Sequence, residues 1–144
     1  MGVDYCITKH IEPDEYMSMR EAVGWGLFPL KEAEAGLSNS YIWCLREKDE
    51  SGRPIGIARV IWDHGYVMYI ADIIVIPEFQ GNGLGRVLME TVMDFIHEQR
   101  KPGYKFMVSL CSAKGKEEFY KKFGFEVRPN DDVGAGMHQW FKDE

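Results

Sequence analysis

The chain has 144 residues and a mass of 16.6 kDa, about the size of one domain. Hydrophobic residues make up 45% of it, enough to form a core without a metal or a disulfide. Lys and Arg number 17 against 23 Asp and Glu, and the resulting net charge of −6 argues against a general nucleic-acid binder. The acidic balance fits either a cationic substrate or simple solubility. We expect one domain over residues 1–144.

Cysteines and histidines do not predict a metal site or a disulfide framework. Cys6, Cys44 and Cys111 are an odd number without a CxxC pair, and the four histidines are scattered. No apolar run reaches the ~18 residues of a membrane span, and the N-terminus lacks a basic stretch followed by an apolar one. We therefore expect a cytoplasmic protein with no metal, no membrane and no nucleic-acid partner.

Hydrophobic periodicity predicts a mixed α/β fold. The predicted elements in the first half are a strand at Tyr5–His10, helices at Pro13–Val23 and Lys31–Leu37, and strands at Tyr41–Arg46, Pro54–Trp62 and Tyr66–Ile76. Those in the second half are a helix at Leu84–Arg100, a strand at Phe106–Leu110, a helix at Lys114–Lys122 and strands at Phe125–Arg128 and Met137–Phe141.

A glycine-rich turn joins the long apolar strand to the following helix. Gly81, Gly83 and Gly85 lack the β-carbons that would keep a phosphate away from the backbone. The amides of a first helical turn have no intrahelical acceptor and lie at the positive end of the helix dipole. The segment therefore predicts a phosphate or pyrophosphate site.

Other interpretations of this turn fit less well. A P-loop needs Lys and then Ser or Thr after its last glycine, whereas Arg86 and Val87 follow Gly85 here. A dinucleotide fingerprint needs a different final spacing of its glycines. A plain connecting turn stays open as the alternative.

Two motifs resemble the hallmarks of the GCN5-related N-acetyltransferase (GNAT) superfamily. The residues Gln80-Gly-Asn-Gly-Leu-Gly85 match its acetyl-CoA signature Q/R-x-x-G-x-G/A, and Phe119-Tyr-Lys-Lys-Phe-Gly-Phe125 matches F-Y-x-K-x-G-F. The predicted order of elements agrees over the whole chain. The resemblance implies a mainly antiparallel, twisted sheet of about six to seven strands with about four helices, in a single domain.

The resemblance also implies where acetyl-CoA binds and how it reacts. The pantetheine arm would lie in a cleft where the central strand bulges and splays, against the backbone of Ile74, Val75 and Ile76. The diphosphate would bind the amides of Gln80, Gly81, Asn82, Gly83, Leu84, Gly85 and Arg86. A strand amide would polarise the thioester carbonyl, and the acceptor amine would attack it directly.

Two catalytic roles follow from the resemblance and the residue chemistry. Tyr120 matches the family's usual general acid for the departing thiolate, with a packing residue as the alternative. Asp72, a carboxylate on an otherwise apolar strand, is either a general base or a paired structural carboxylate. Alternation predicts that Asp72 and Ile74 share one face of the sheet.

The amine acceptor is the least determined feature. Trp25, Phe28, Tyr41 and Trp43 either line a pocket for an aromatic or other small primary amine, such as a polyamine, or pack in the core. A protein lysine or N-terminus as acceptor, and an acetyl-CoA sensor without turnover, are the alternative functions. Homodimers are common in the family that the chain resembles.

Overall fold

A computed structural model describes residues 2–143, so the first and last residues of the predicted 1–144 domain lie outside the described residues. The chain forms two compact units, one up to Cys111 and one from Ser112 onward. That both belong to a single domain stays a prediction. Within residues 2–143, no helix is both long enough and apolar enough to span a bilayer.

The first unit has a mixed α/β fold, as predicted from the sequence. A 3-10 turn at Pro77–Phe79 links its longest helix to the preceding strand. The other elements of this unit are β1 (Tyr5–Thr8), α1 (Pro13–Ala22), α2 (Leu30–Ser38), β2 (Tyr41–Glu47), β3 (Pro54–Trp62), β4 (Val67–Val75), α3 (Leu84–Glu98) and β5 (Met107–Leu110).

The five strands form one sheet in the order β1-β2-β3-β4-β5. Neighbouring strands are antiparallel except β4 and β5, which are parallel. Pairing between β4 and β5 ends at Ile70 and Leu110. Beyond that pair, residues 72–75 of β4 have β3 on one side and no described strand on the other. We call this open side the β4 opening.

The register between β3 and β4 shifts by one residue in the middle of the strands. Arg59 pairs with Asp72 but Val60 pairs with Ile70, so Ala71 is an extra residue and forms a β-bulge. Buried residues still alternate with half-buried ones along the whole of β4. The buried residues before the bulge, Met68 and Ile70, therefore face one side of the sheet, and those after it, Asp72 and Ile74, face the other. The alternating burial pattern does not reveal this change.

Helices cover both faces of the sheet in this unit. Leu88 of α3 lies 3.4 Å from the position that a Cβ would take at Gly56, and the rings of Phe95 and Trp43 pack 5.0 Å apart. Successive side chains of a strand point to opposite faces, so Arg59 points away from α3. There it bonds to Ser40, just after α2, and reaches the residues of α1.

The second unit contains one helix in the described residues, α4 (Glu117–Lys121). The predicted strands Phe125–Arg128 and Met137–Phe141 are wrong, and the sheet has five strands rather than six to seven. Pro129 has no N–H to donate to a ladder. Asn130 Oδ1 accepts hydrogen bonds from the backbone amides of Asp132 and Val133 at 2.9 and 3.1 Å, and these bonds form a local turn.

Candidate active site

The turn between β4 and α3 presents a row of free backbone amides. Gly81 and Gly83 have φ values of +82° and +77°, which glycine adopts without strain. The first hydrogen bond of α3 runs from the amide of Val87 to the carbonyl of Gly83 at 3.2 Å. Among the described residues, the amides from Gly81 to Arg86 consequently have no acceptor. This cradle fits the diphosphate of a nucleotide cofactor.

Gln80 differs from the other predicted loop residues. Its amide donates to the Pro77 carbonyl at 3.2 Å and so is not free for a phosphate. Its side-chain Nε2 donates to the Val75 carbonyl at 2.9 Å. The predicted amide contact of Gln80 is therefore corrected to a side-chain bond that ties the loop to β4.

Of the three residues predicted to contact the cofactor through their backbone, Val75 alone faces the β4 opening. The amide of Ile76 donates to Ile55 and its carbonyl accepts from Phe79, both at 3.0 Å, so its backbone is occupied. Ile74 lies two residues before Ile76 and pairs with Ile57, so its backbone N–H and C=O point toward β3 as the N–H of Ile76 does. The predicted backbone roles of Ile74 and Ile76 are thus corrected.

Ile73 shares the orientation of Val75. Alternation in the antiparallel ladder directs the amides of Ile73 and Val75 away from β3, into the β4 opening. Sequence reasoning missed Ile73, because the pattern of apolar residues does not show which side of a strand bonds to its neighbour.

An arginine anchors the turn that leads into the loop. Arg53 donates from Nη1 and Nη2 to the carboxylate of Glu78 at 3.1 and 3.2 Å. Its guanidinium also lies 5.4 Å from the centre of the Phe79 ring and bonds to Glu47 at 3.1 Å. The start of the cofactor loop is thereby held against the strand hairpin β2–β3.

Asp72 lies at the centre of a buried charged cluster, formed by Tyr16, Arg20, Arg59 and Asp72 and here called the Asp72 cluster. Asp72 Oδ2 accepts from Tyr16 Oη and from Arg59 Nε, both at 2.6 Å. Its Oδ1 accepts from Arg20 Nη1 at 3.5 Å. Both oxygens are engaged and the residue is 4% exposed, so the geometry favours the paired structural carboxylate over the general base.

Three members of the Asp72 cluster were not predicted from the sequence. Tyr16 and Arg20 on α1 and Arg59 on β3 contact Asp72 from distant parts of the chain, and no local pattern signals such a contact.

Beside the bulge, a hydrogen bond to Cys111 together with burial raises the pKa of Tyr69 to about 12. The Tyr69 phenol therefore stays protonated at neutral pH.

The four aromatic residues considered for the acceptor pocket divide into two pairs. Tyr41 and Trp43 pack against Phe95 with ring centroids 4.8 and 5.0 Å apart, so they belong to the core under α3. Trp25 and Phe28, in the loop between α1 and α2, lie against the other face and are half-buried.

Tyr120 lies on α4 in the second unit. Its ring packs edge-on against Phe119 with centroids 5.0 Å apart. Burial raises the pKa of the Tyr120 phenol above its ordinary value. The phenol is therefore fully protonated at neutral pH, which a general acid requires.

The comparisons with known proteins agree with this geometry. The family model for the acetyltransferase (GNAT) domain matches residues 38–127, more than half of the chain. The chain belongs to the GNAT superfamily. The acetyltransferase fold and the enzyme class that the sequence predicted are thereby confirmed, and members of this superfamily use acetyl-CoA as the acetyl donor.

This GNAT protein is similar to proteins from an alga, a plant and a bacterium. The uncharacterized N-acetyltransferase ycf52 of Pyropia yezoensis is 32% identical over 125 residues, which cover 85% of this chain and 70% of the relative. Histone acetyltransferase TAP1 of Glycine max is 34% identical over 155 residues, covering 90% of this chain and 65% of that protein. The crystal structure of a probable acetyltransferase from methicillin-resistant Staphylococcus aureus superposes with a TM-score of 0.81 at 29% identity, covering 95% of this chain and 99% of the other.

Proposed function

We propose that this acyltransferase moves the acetyl group of acetyl-CoA to the primary amine of a small molecule. The observation that carries the proposal is the row of acceptor-free amides from Gly81 to Arg86, directly beside the β4 opening. The amides suit a diphosphate, and the opening leaves strand amides available to an extended pantetheine arm.

Each residue has a defined part in the proposed reaction. Acetyl-CoA supplies an activated thioester. The amide of Val75 donates to the thioester oxygen and stabilises the negative charge that develops there. Gly81 to Arg86 fix the diphosphate, and Tyr120 holds the proton that the thiolate takes up.

The acceptor amine must lose a proton before it attacks. An alkylammonium has a pKa near ~10 and is mostly protonated at neutral pH. Because both oxygens of Asp72 are engaged by Tyr16, Arg20 and Arg59, we assign the deprotonation to water rather than to Asp72. The attack then proceeds without a covalent acyl-enzyme.

A protein lysine is the second candidate acceptor. One observation favours it: a relative that is 34% identical bears the name histone acetyltransferase. The net charge of −6 would also attract a basic polypeptide.

The decisive experiment measures release of the CoA thiol with aromatic amines, polyamines, aminosugars and lysine peptides side by side. We expect turnover with at least one small amine. Turnover restricted to peptides would replace the small-molecule acceptor with a protein lysine. Tight binding of acetyl-CoA without turnover on any acceptor would identify a sensor and overturn the proposed reaction.

A further inference from the structure

The Asp72 cluster contains one more positive charge than negative charges. Asp72 lies within ion-pair distance of both Arg20 and Arg59, at 3.5 and 2.6 Å. In the part of the chain that the structure describes, no second carboxylate reaches either guanidinium. Burial and the Asp72 charge raise the pKa of Tyr16, so its phenol adds no negative charge. A buried charge is costly unless paired, so the cluster lacks one anion.

Arg20 has a hydrogen-bond donor to spare. Its Nε donates to the Gly26 carbonyl at 2.7 Å, and its Nη1 donates to Tyr16 and Asp72. Its Nη2 has no partner within residues 2–143, although Arg20 is only 9% exposed. No fully buried side-chain nitrogen or oxygen of those residues lacks a partner, so Nη2 reaches solvent.

Aromatic rings hold this guanidinium in place. Its central carbon lies 5.5 Å from the centre of the Trp25 ring and 4.4 Å from that of Phe28. These faces are already engaged by a cation and are therefore poorly suited to bind an ammonium group. Leu27 and Leu30, 55% and 54% exposed, add apolar surface in the same stretch of chain.

The cluster lies close to the proposed reaction centre. Asp72 precedes Val75 by three positions, which is about 10 Å along a strand. The diphosphate cradle belongs to the start of α3, on one face of the sheet. Arg20 lies on the opposite face, which is therefore left to the acceptor.

We infer that the acceptor amine carries a carboxylate or phosphate group that binds Nη2 of Arg20, with an apolar or aromatic body between that group and the amine. This inference rests on the proposed function and names its substrate class. Charge-assisted hydrogen bonds to arginine are the strong ones, and a guanidinium fixed between rings loses little freedom on binding.

The test uses matched acceptors that differ only in the anionic group: 4-(aminomethyl)benzoate, 4-(aminomethyl)phenylphosphonate and benzylamine. We expect wild-type kcat/KM to be at least about tenfold higher for one anionic acceptor than for benzylamine. A higher kcat/KM for the benzoate would identify a carboxylate as the anionic group, and a higher kcat/KM for the phosphonate would identify a phosphate. Arg20→Met should reduce the ratio to about one, and Arg20→Lys should keep part of it. Arg100→Met, an exposed arginine on another surface, should leave it unchanged.

Equal kcat/KM for all three acceptors in the wild type, or an unchanged preference in Arg20→Met, would overturn the inference. If circular dichroism shows that Arg20→Met does not fold, Arg20→Lys serves as the test. Its kcat/KM ratio of anionic acceptor to benzylamine should then be smaller than that of the wild type. Thermal shift of the protein by the same compounds needs no turnover. A shift by an anionic compound in the wild type but not in Arg20→Met, without acetyl transfer to any acceptor tested, would support the anion site and overturn the proposed reaction. If the compounds produce no thermal shift and accept no acetyl group, both the anion site and the proposed reaction are overturned.

Discussion

Tyr16 and Asp72, which are 56 positions apart, share a 2.6 Å hydrogen bond in the interior of the protein. The bond links α1 to β4 immediately after the bulge. Burial, and then the charge of Asp72, raises the pKa of Tyr16, so the phenol remains a donor over the physiological range. The helix that carries Arg20 is thus fixed to the strand that lines the β4 opening.

Replacing Asp72 with Asn should mainly reduce stability. It removes the carboxylate that two buried arginines share, and breaking such a pair costs about 3–5 kcal/mol of unfolding free energy. Urea unfolding measures the loss, and Asp94→Asn on the exposed side of α3 is the control. The pH profile of kcat should persist in the folded variant. A profile that loses its rising limb, with little loss of stability, would instead establish Asp72 as the base.

Substituting Gly83 with Ala should weaken acetyl-CoA binding. The residue has a φ of +77° at the N-cap of α3 and lies within the row of amides proposed to bind the diphosphate, so we expect a β-carbon there to hinder binding. Gly103→Ala introduces the same backbone strain at φ +83°, in the turn after α3. Both variants should lose about 1 kcal/mol of stability. Calorimetric titration with CoA should show a higher Kd for Gly83→Ala alone; equal affinities would argue against the cradle.

Removing the Tyr120 hydroxyl tests the proposed acid. Because burial raises the pKa of the phenol, it stays protonated as the pH rises past its ordinary value. We expect Tyr120→Phe to lower kcat by about 10²–10⁴-fold and to abolish the decline of kcat at high pH. Tyr104→Phe, at a residue 50% exposed, is the matched control. An unaltered kcat and pH profile would leave Tyr120 a packing residue.

The thiols should differ sharply in reactivity. Burial raises the pKa of Cys44 to about 11, whereas Cys111 is exposed. Titration with an aromatic disulfide reagent at pH 8 should modify Cys111 rapidly and Cys44 only after unfolding. Because Cys6 is half-buried, the comparison is made in a Cys6→Ser background, where Cys111→Ser should remove the fast phase; persistence of that phase would contradict the assignment.

The raised pKa of Cys44 also predicts a trend of stability with pH. An unfolded thiol ionises near its ordinary pKa of 9.0, before the folded one does at about 11. The contribution of the neutral thiol is therefore complete below about pH 9 and is lost as the pH rises through the folded-state pKa. Unfolding at a series of pH values, compared with Cys44→Ala, measures this difference.

Local patterns predicted the elements well where burial is periodic. Pro54–Trp62 is a strand with the bounds that its aromatic and β-branched residues indicated, and α3 begins at Leu84 as predicted. The segments Phe125–Arg128 and Met137–Phe141 have similar composition but no strand pairs with them in the described residues. Strand formation depends on a partner, which composition does not reveal.

The candidate site was predictable only where its chemistry is local. The glycine spacing indicated the amide cradle, because backbone geometry depends on adjacent residues. The engagement of the Gln80 amide by a 3-10 turn required the structure, as did the meeting of Arg20 and Arg59 at Asp72. Such contacts between distant positions decide between a catalytic and a structural carboxylate.

The bulge at Ala71 makes the length of β4 more important than its composition. The alternating burial of the strand would survive many apolar exchanges, but deleting Ala71 would turn either Met68 and Ile70 or Asp72 and Ile74 to the wrong side of the sheet. The first outcome would put two apolar side chains among the arginines, and the second would put a carboxylate under α3. Insertions and deletions in β4 should therefore be tolerated far less than substitutions.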